Sequence, residues 1–137
     1  MNEMFLKVSA ISENEAFVRT CVAAFMLPSN PTIEIVNDVK TAVSEAVTNS
    51  VVHAYPEGNG EITVKCELNN DYIKISISDQ GVGIENVAAA TEAFFTTKGD
   101  EERSGIGFTV IKSFMDEVRI SSEKGLGTTV EMLKRIA

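Results

Sequence analysis

Residues 44–55 read S-E-A-V-T-N-S-V-V-H-A-Y, and the chain before them carries Ile35, Val36, Val39 and Val43. With Ala46 and Val47 these apolar residues recur at helical spacing without Gly or Pro, so the stretch reads as the middle and end of a long helix. Three polar residues interrupt the apolar band. Glu45, Asn49 and His53 are spaced four apart, advance about 40° per step and share one stripe beside the buried one. A carboxylate and an amide beside core valines cost stability unless partnered, so the stripe reads as the floor of a polar cavity. Taken alone, Glu45 and Asn49 fit an i,i+4 pair on a solvated face more simply. A lone His53 fits a satisfied structural histidine. The rest of the chain decides between these readings.

With 137 residues and no linker or internal repeat, the chain reads as one domain. Hydrophobic residues make up 44% and charged residues 23%, which excludes a disordered or membrane-spanning chain. The N-terminus, M-N-E-M-F-L-K-V, lacks a basic stretch followed by a long apolar run, so a cytoplasmic location is expected. A net charge of −8 at pH 7 argues against nucleic acid or an anionic membrane as the main partner. A nucleotide carrying Mg²⁺, or a basic patch on another protein, remains compatible. Cys21 and Cys66 fall at apolar phases of a helix and a strand and read as buried, reduced thiols. One His and no paired Cys motif argue against a zinc site.

Working outward from the central helix, residues 4–10 alternate as a first strand with Leu6 and Val8 inward. Ser12 with Glu15 forms a capping box, and Phe17, Cys21 and Phe25 follow at helical spacing until Pro28. Glu15 and Arg19 on this helix read first as an exposed ion pair worth a few tenths of a kcal/mol, with partner binding as the second reading. Asn30 as N-cap with Pro31 opens the central helix. After a turn cluster at residues 56–60, Ile62, Val64, Cys66 and Leu68 alternate with polar residues, and so do Ile73, Ile75 and Ile77 beyond the Asn69-Asn70 turn. Strands apolar on one face predict a two-layer α+β sandwich, its sheet mixed but mostly antiparallel, with the helices on one side.

The second of these strands ends in Asp79-Gln80-Gly81-Val82-Gly83, a carboxylate at the sheet rim followed by a sharply bending backbone. A short helix over residues 85–93 leads to an aperiodic, charged loop at residues 94–104, of the kind that forms lids and binding loops. Ser104-Gly105-Ile106-Gly107 then opens a helix with Ile106, Val110, Ile111, Phe114 and Met115 as its buried stripe. Free N–H groups and the positive dipole end at such a start suit phosphate. Residues 118–121 and 128–133 close the chain as a hairpin around the turn at 124–127.

No G-x-x-x-x-G-K-[ST], no third glycine of G-x-G-x-x-G and no H-R-D or D-F-G set is present. What remains is an ordered set: E-x-x-x-N on a helix, D-x-G-x-G after a strand, a charged loop, G-x-G at a helix start and Gly-Thr-Thr on a strand. This order resembles the GHKL group of ATP-binding proteins, which includes gyrase B, Hsp90, MutL-type ATPases and the histidine kinases. Within it, S-E-A-V-T-N-S-V-V-H-A-Y, F-F-T-T-K and E-R-S-G-I-G-F look like the anti-sigma serine kinases, nearest to those of sporulating bacteria that act on sigma factor F. The likeness runs over essentially the whole chain.

The resemblance implies a Bergerat-type ATP-binding fold and a cytoplasmic homodimer. Such a protein uses ATP with Mg²⁺, holds sigma factor F when loaded with ATP, and phosphorylates a serine of an anti-anti-sigma factor. Carried over residue by residue, Asn49 is the Mg²⁺ ligand and Glu45 the general base. Asp79 accepts from the adenine amino group, assisted by Thr129, while Gly81 and Gly83 let the base approach the backbone. Gly105 and Gly107, with Ser104, Thr97 and Lys98, surround the phosphates of ATP or ADP, and His53 lines the pocket. A histidine autokinase needs a phosphoacceptor His and a dimerising hairpin, and chaperone or mismatch-repair ATPases need further domains. A stress-response sigma factor as partner, or a nucleotide-gated binding module without catalysis, are the competing expectations. Glu45 favours chemistry.

Overall fold

The alternation read from the sequence builds the sheet. In the computed structural model, which describes residues 1–56, 58–83 and 103–137 apart from the side chains of 103–107, five strands form one layer. They are β1 (Asn2–Ser9), β2 (Glu61–Leu68), β3 (Tyr72–Asp79), β4 (Glu117–Glu123) and β5 (Gly127–Arg135). Their order is β1-β2-β3-β5-β4, and every neighbouring pair is antiparallel. The expected admixture of parallel pairing is absent among the described strands.

Register puts apolar residues opposite one another on one face. Val64 pairs with both Leu6 and Ile77, and Ile77 and Ile75 continue to Val130 and Met132. On that face lie three helices, α1 (Glu13–Met26), α2 (Ile33–Asn49) and α3 (Arg103–Phe114), with α2 packed against both others. Val39, Val43, Val64, Ile73, Ile75 and Ile111 are fully buried between the layers. Cys66 joins them, and burial pushes its thiol up to about 12, so it is inert at neutral pH. Cys21 is half-buried.

Four local expectations are corrected by the structure. On α1 the buried stripe is Val18, Val22 and Met26, one residue out of phase with the expected one, and Phe17 is exposed. The α3 stripe is Phe108, Ile111 and Met115, while Phe114 is partly exposed. The cap of α2 is Thr32, whose Oγ1 accepts from the Ile35 N–H at 3.2 Å. Asn30 instead ends a 3₁₀ turn, Leu27–Ser29, in the left-handed conformation at φ 55°. Ser12 precedes α1 without capping it through its side chain.

Two features orient the functional end. The α-helical hydrogen bonding of α2 stops at Asn49 and gives way to a π-helical turn, Ser50–Ala54, which rests on β3 and β5. At the other end, Lys134 Nζ donates to Asp38 Oδ2 at 3.0 Å and to the Phe114 carbonyl at 2.6 Å, tying α2, α3 and β5 together. Among the described residues, no helix is long and apolar enough to cross a membrane.

Candidate nucleotide site

The polar stripe of α2 meets the end of β3 at one rim of the sandwich. Asp79 has the inward parity of Ile73, Ile75 and Ile77, so its carboxylate enters the layer between sheet and helices and is 8% exposed. Its Oδ1 accepts from the Gly81 N–H at 3.0 Å and the Thr128 N–H at 3.2 Å, and its Oδ2 accepts from the Ser50 hydroxyl at 3.0 Å. Burial raises the Asp79 carboxyl above its ordinary value, and these three donors pull it back down.

Asn49 precedes Ser50 and is also 8% exposed, yet neither its Oδ1 nor its Nδ2 has a hydrogen-bond partner among the described residues. Orphaned buried amide atoms are rare and call for a partner beyond these described residues. The amide oxygen is a hard neutral donor and fits Mg²⁺, which commonly takes its other ligands from phosphate and water. Mg²⁺ with a nucleotide therefore fits the residues present.

One turn earlier, Glu45 is half-buried. It lines a groove of about 310 Å³ between α1 and α2, shared with Glu15, Arg19, Lys40 and Ser44. Arg19 Nη1 lies 3.4 Å from Glu15 Oε1, so the ion pair expected from the spacing forms, and it forms on the wall of this groove. His53 falls in the π-helical turn and is half-buried, where the wider turn alters its phase relative to Glu45 and Asn49.

The glycines after Asp79 have packing reasons of their own. A side chain at Gly81 would collide with the Ala54 carbonyl, and Gly83 has φ +74° with the Glu123 carbonyl against it. Val82 bonds both neighbours, its N–H donating to the Ala54 carbonyl at 2.8 Å and its carbonyl accepting from the Gly125 N–H at 2.6 Å. The π-helical turn, the loop after β3 and the β4–β5 turn thus form one continuous rim.

Ser104, Gly105 and Gly107 lie in the first described turns of α3. Thr97 and Lys98, with the helix expected over residues 85–93 and most of the charged loop, lie outside the described residues. Thr129 is not beside Asp79. It has the opposite parity to Val130 and Met132, and its Oγ1 is 3.0 Å from Ser78 Oγ on the helix-free face. Of the two threonines, Thr128 is the one that reaches Asp79, through its backbone N–H, while its Oγ1 lies 2.8 Å from Ser122 Oγ. Ser50 and Thr128 were missed. Neither had a signal: the Thr128 contact is made by its main chain, which side-chain parity does not reveal, and the Ser50 orientation follows from the π-helical turn.

Comparison with known proteins bears on the fold and the family. A family model described as a histidine kinase-like ATPase domain matches residues 8–134. A protein named Anti-sigma F factor from Clostridium beijerinckii is 49% identical over 98% of this chain and 94% of its own length. Its namesake from Caldanaerobacter subterraneus subsp. tengcongensis is 50% identical over the same shares. Among solved structures, one with RsbU and RsbW domains from Mycobacterium tuberculosis superposes with a TM-score of 0.72 at 20% identity, over 99% of this chain and 33% of that one. The histidine kinase domain of a blue-light activated kinase from Erythrobacter litoralis gives 0.60 at 13% identity, over 94% of this chain and 62% of that one. At such identities the two structures speak for the fold. The full-length relatives and the family model together show that this chain belongs to the anti-sigma F factors, built on a histidine kinase-like ATPase domain.

Proposed function

We propose that the chain binds MgATP at the rim formed by Asn49 and Asp79 and transfers the γ-phosphoryl group to a serine of an anti-anti-sigma factor. In its ATP-loaded state it holds sigma factor F, and it works as a homodimer. The observation that carries the nucleotide reading is the buried Asn49 amide, which has no partner among the described residues, one turn after Glu45 and next to the residue that bonds Asp79. The name shared by the relatives favours sigma factor F over a stress-response sigma factor. The homodimer rests on the family resemblance. A net charge of −8 suits a protein partner rather than nucleic acid or an anionic membrane.

In this reading Asp79 accepts a hydrogen bond from the adenine amino group. Backbone N–H groups of the glycine box at residues 104–107 face phosphate oxygens. Mg²⁺ on Asn49 Oδ1 would draw off the charge that develops on the transferring group. Glu45 accepts the proton of the serine hydroxyl as its oxygen bonds to the γ-phosphorus and the β,γ bridging bond breaks, releasing ADP. The groove beside Glu45, walled by Glu15, Arg19 and Lys40, gives the substrate serine a route to that carboxylate.

The test is incubation with Mg²⁺, γ-labelled ATP and a candidate anti-anti-sigma protein. Label should appear on a substrate serine, and Glu45→Ala should slow transfer by about 10²–10⁴ while ADP binding is retained. Nucleotide binding without any transfer to the cognate partner would reduce the chain to a nucleotide-gated binding module.

A further inference from the structure

If the rim binds a purine nucleotide, as proposed above, Asp79 offers the base only the acceptor capacity its neighbours leave. Each carboxylate oxygen has two lone-pair sites. Oδ1 is filled by the Gly81 and Thr128 N–H groups at 3.0 and 3.2 Å. Oδ2 takes one donor, the Ser50 hydroxyl at 3.0 Å, and keeps one site open. The two amides grip one oxygen, so Ser50 alone among these donors resists a rotation that would swing Oδ2 away. Ser50 is 7% exposed and begins the π-helical turn, directly after Asn49. This hydrogen bond also links the base acceptor directly to the residue after the amide that faces the phosphate end.

We propose that Ser50 is a positioning residue for base recognition: by donating to Oδ2 it fixes the Asp79 carboxylate so that the remaining lone pair of Oδ2 meets the exocyclic amino group of the purine. The ligand class is a nucleotide with a 6-amino purine. The role differs from binding, since Ser50 acts through Asp79.

The measurement is a calorimetric titration of wild type, Ser50→Ala and Ser50→Cys with two ligands: MgADP, and the purine riboside diphosphate that lacks the 6-amino group. Ser50→Ala should weaken ADP about tenfold while the des-amino analogue changes less than about twofold. Ser50→Cys, of similar shape but a weaker donor, should fall between wild type and Ser50→Ala. Because each variant is judged by the ratio of its two affinities, a general loss of folded protein cancels. Equal weakening of both ligands would overturn the positioning role and leave Ser50 a packing residue. Failure of the wild type to bind either ligand would overturn the nucleotide reading itself, and this inference with it.

Discussion

The core between the layers and the rim at Asn49 and Asp79 are built by the same elements under opposite conditions. Along β3, Ile73, Ile75 and Ile77 are buried against valines of α2 and need nothing else. The same strand ends in Asp79, buried with its carboxyl pushed up, and α2 passes from Val47 to Asn49, buried with no partner for its amide among the described residues. Apolar burial stabilises the fold, whereas these two polar residues cost stability in the absence of ligand. The difference teaches that the core tolerates a locally unfavourable rim, and that what is unfavourable there is complementary to a ligand.

The comparison predicts a graded series of thermal melts without nucleotide. Ile75→Ala, in the fully buried centre, should cost about 3 kcal/mol and lower Tm by roughly 10 °C. Lys134→Met removes one partner of a mostly buried pair and the donor to the Phe114 carbonyl. It should cost about 2 kcal/mol, read in the same melt. Glu15→Ala breaks a partly exposed ion pair and should change stability by less than about 0.5 kcal/mol. If Glu15→Ala instead costs as much as Lys134→Met, the groove between α1 and α2 belongs to the structural region and its route to Glu45 loses support.

Where the sequence was legible, the reason was periodicity with one solution. In β2 and β3, strict alternation leaves one possible inward face, and the antiparallel register follows. In α1, residues 17, 21, 25 and residues 18, 22, 26 are both apolar series at helical spacing, and packing against the sheet, absent from the pattern, selects the second. The α2 cap was ambiguous for a similar reason. Asn30 and Thr32 are both capping residues, and the 3₁₀ turn through Pro28 consumes Asn30 as its own terminus. At the site, Glu45, Asn49, Asp79 and the glycines declared themselves by breaking local rules. Ser50 and Thr128 broke none. A serine after a helix and a threonine in a strand are ordinary; the π-helical turn aims the Ser50 hydroxyl at Asp79, and the close approach of the β5 backbone brings the Thr128 N–H there.

Asp79→Asn tests the contrast between core and rim most directly, by melts of apo and MgADP-loaded protein across the carboxylate pH range. The folded-state value of Asp79 is raised, so its contribution to stability is fully present below the ordinary carboxylate range and is lost as pH rises through the elevated value. Asparagine keeps an oxygen for the Gly81 and Thr128 N–H groups without the buried charge. The account predicts that the variant at pH 7 melts no lower than wild type without nucleotide, shows a flatter pH dependence, and loses the upward shift in Tm that saturating MgADP gives wild type. A variant that melts several degrees lower at pH 7 while keeping the full MgADP shift would contradict it, and would move Asp79 from the ligand site into the structural core.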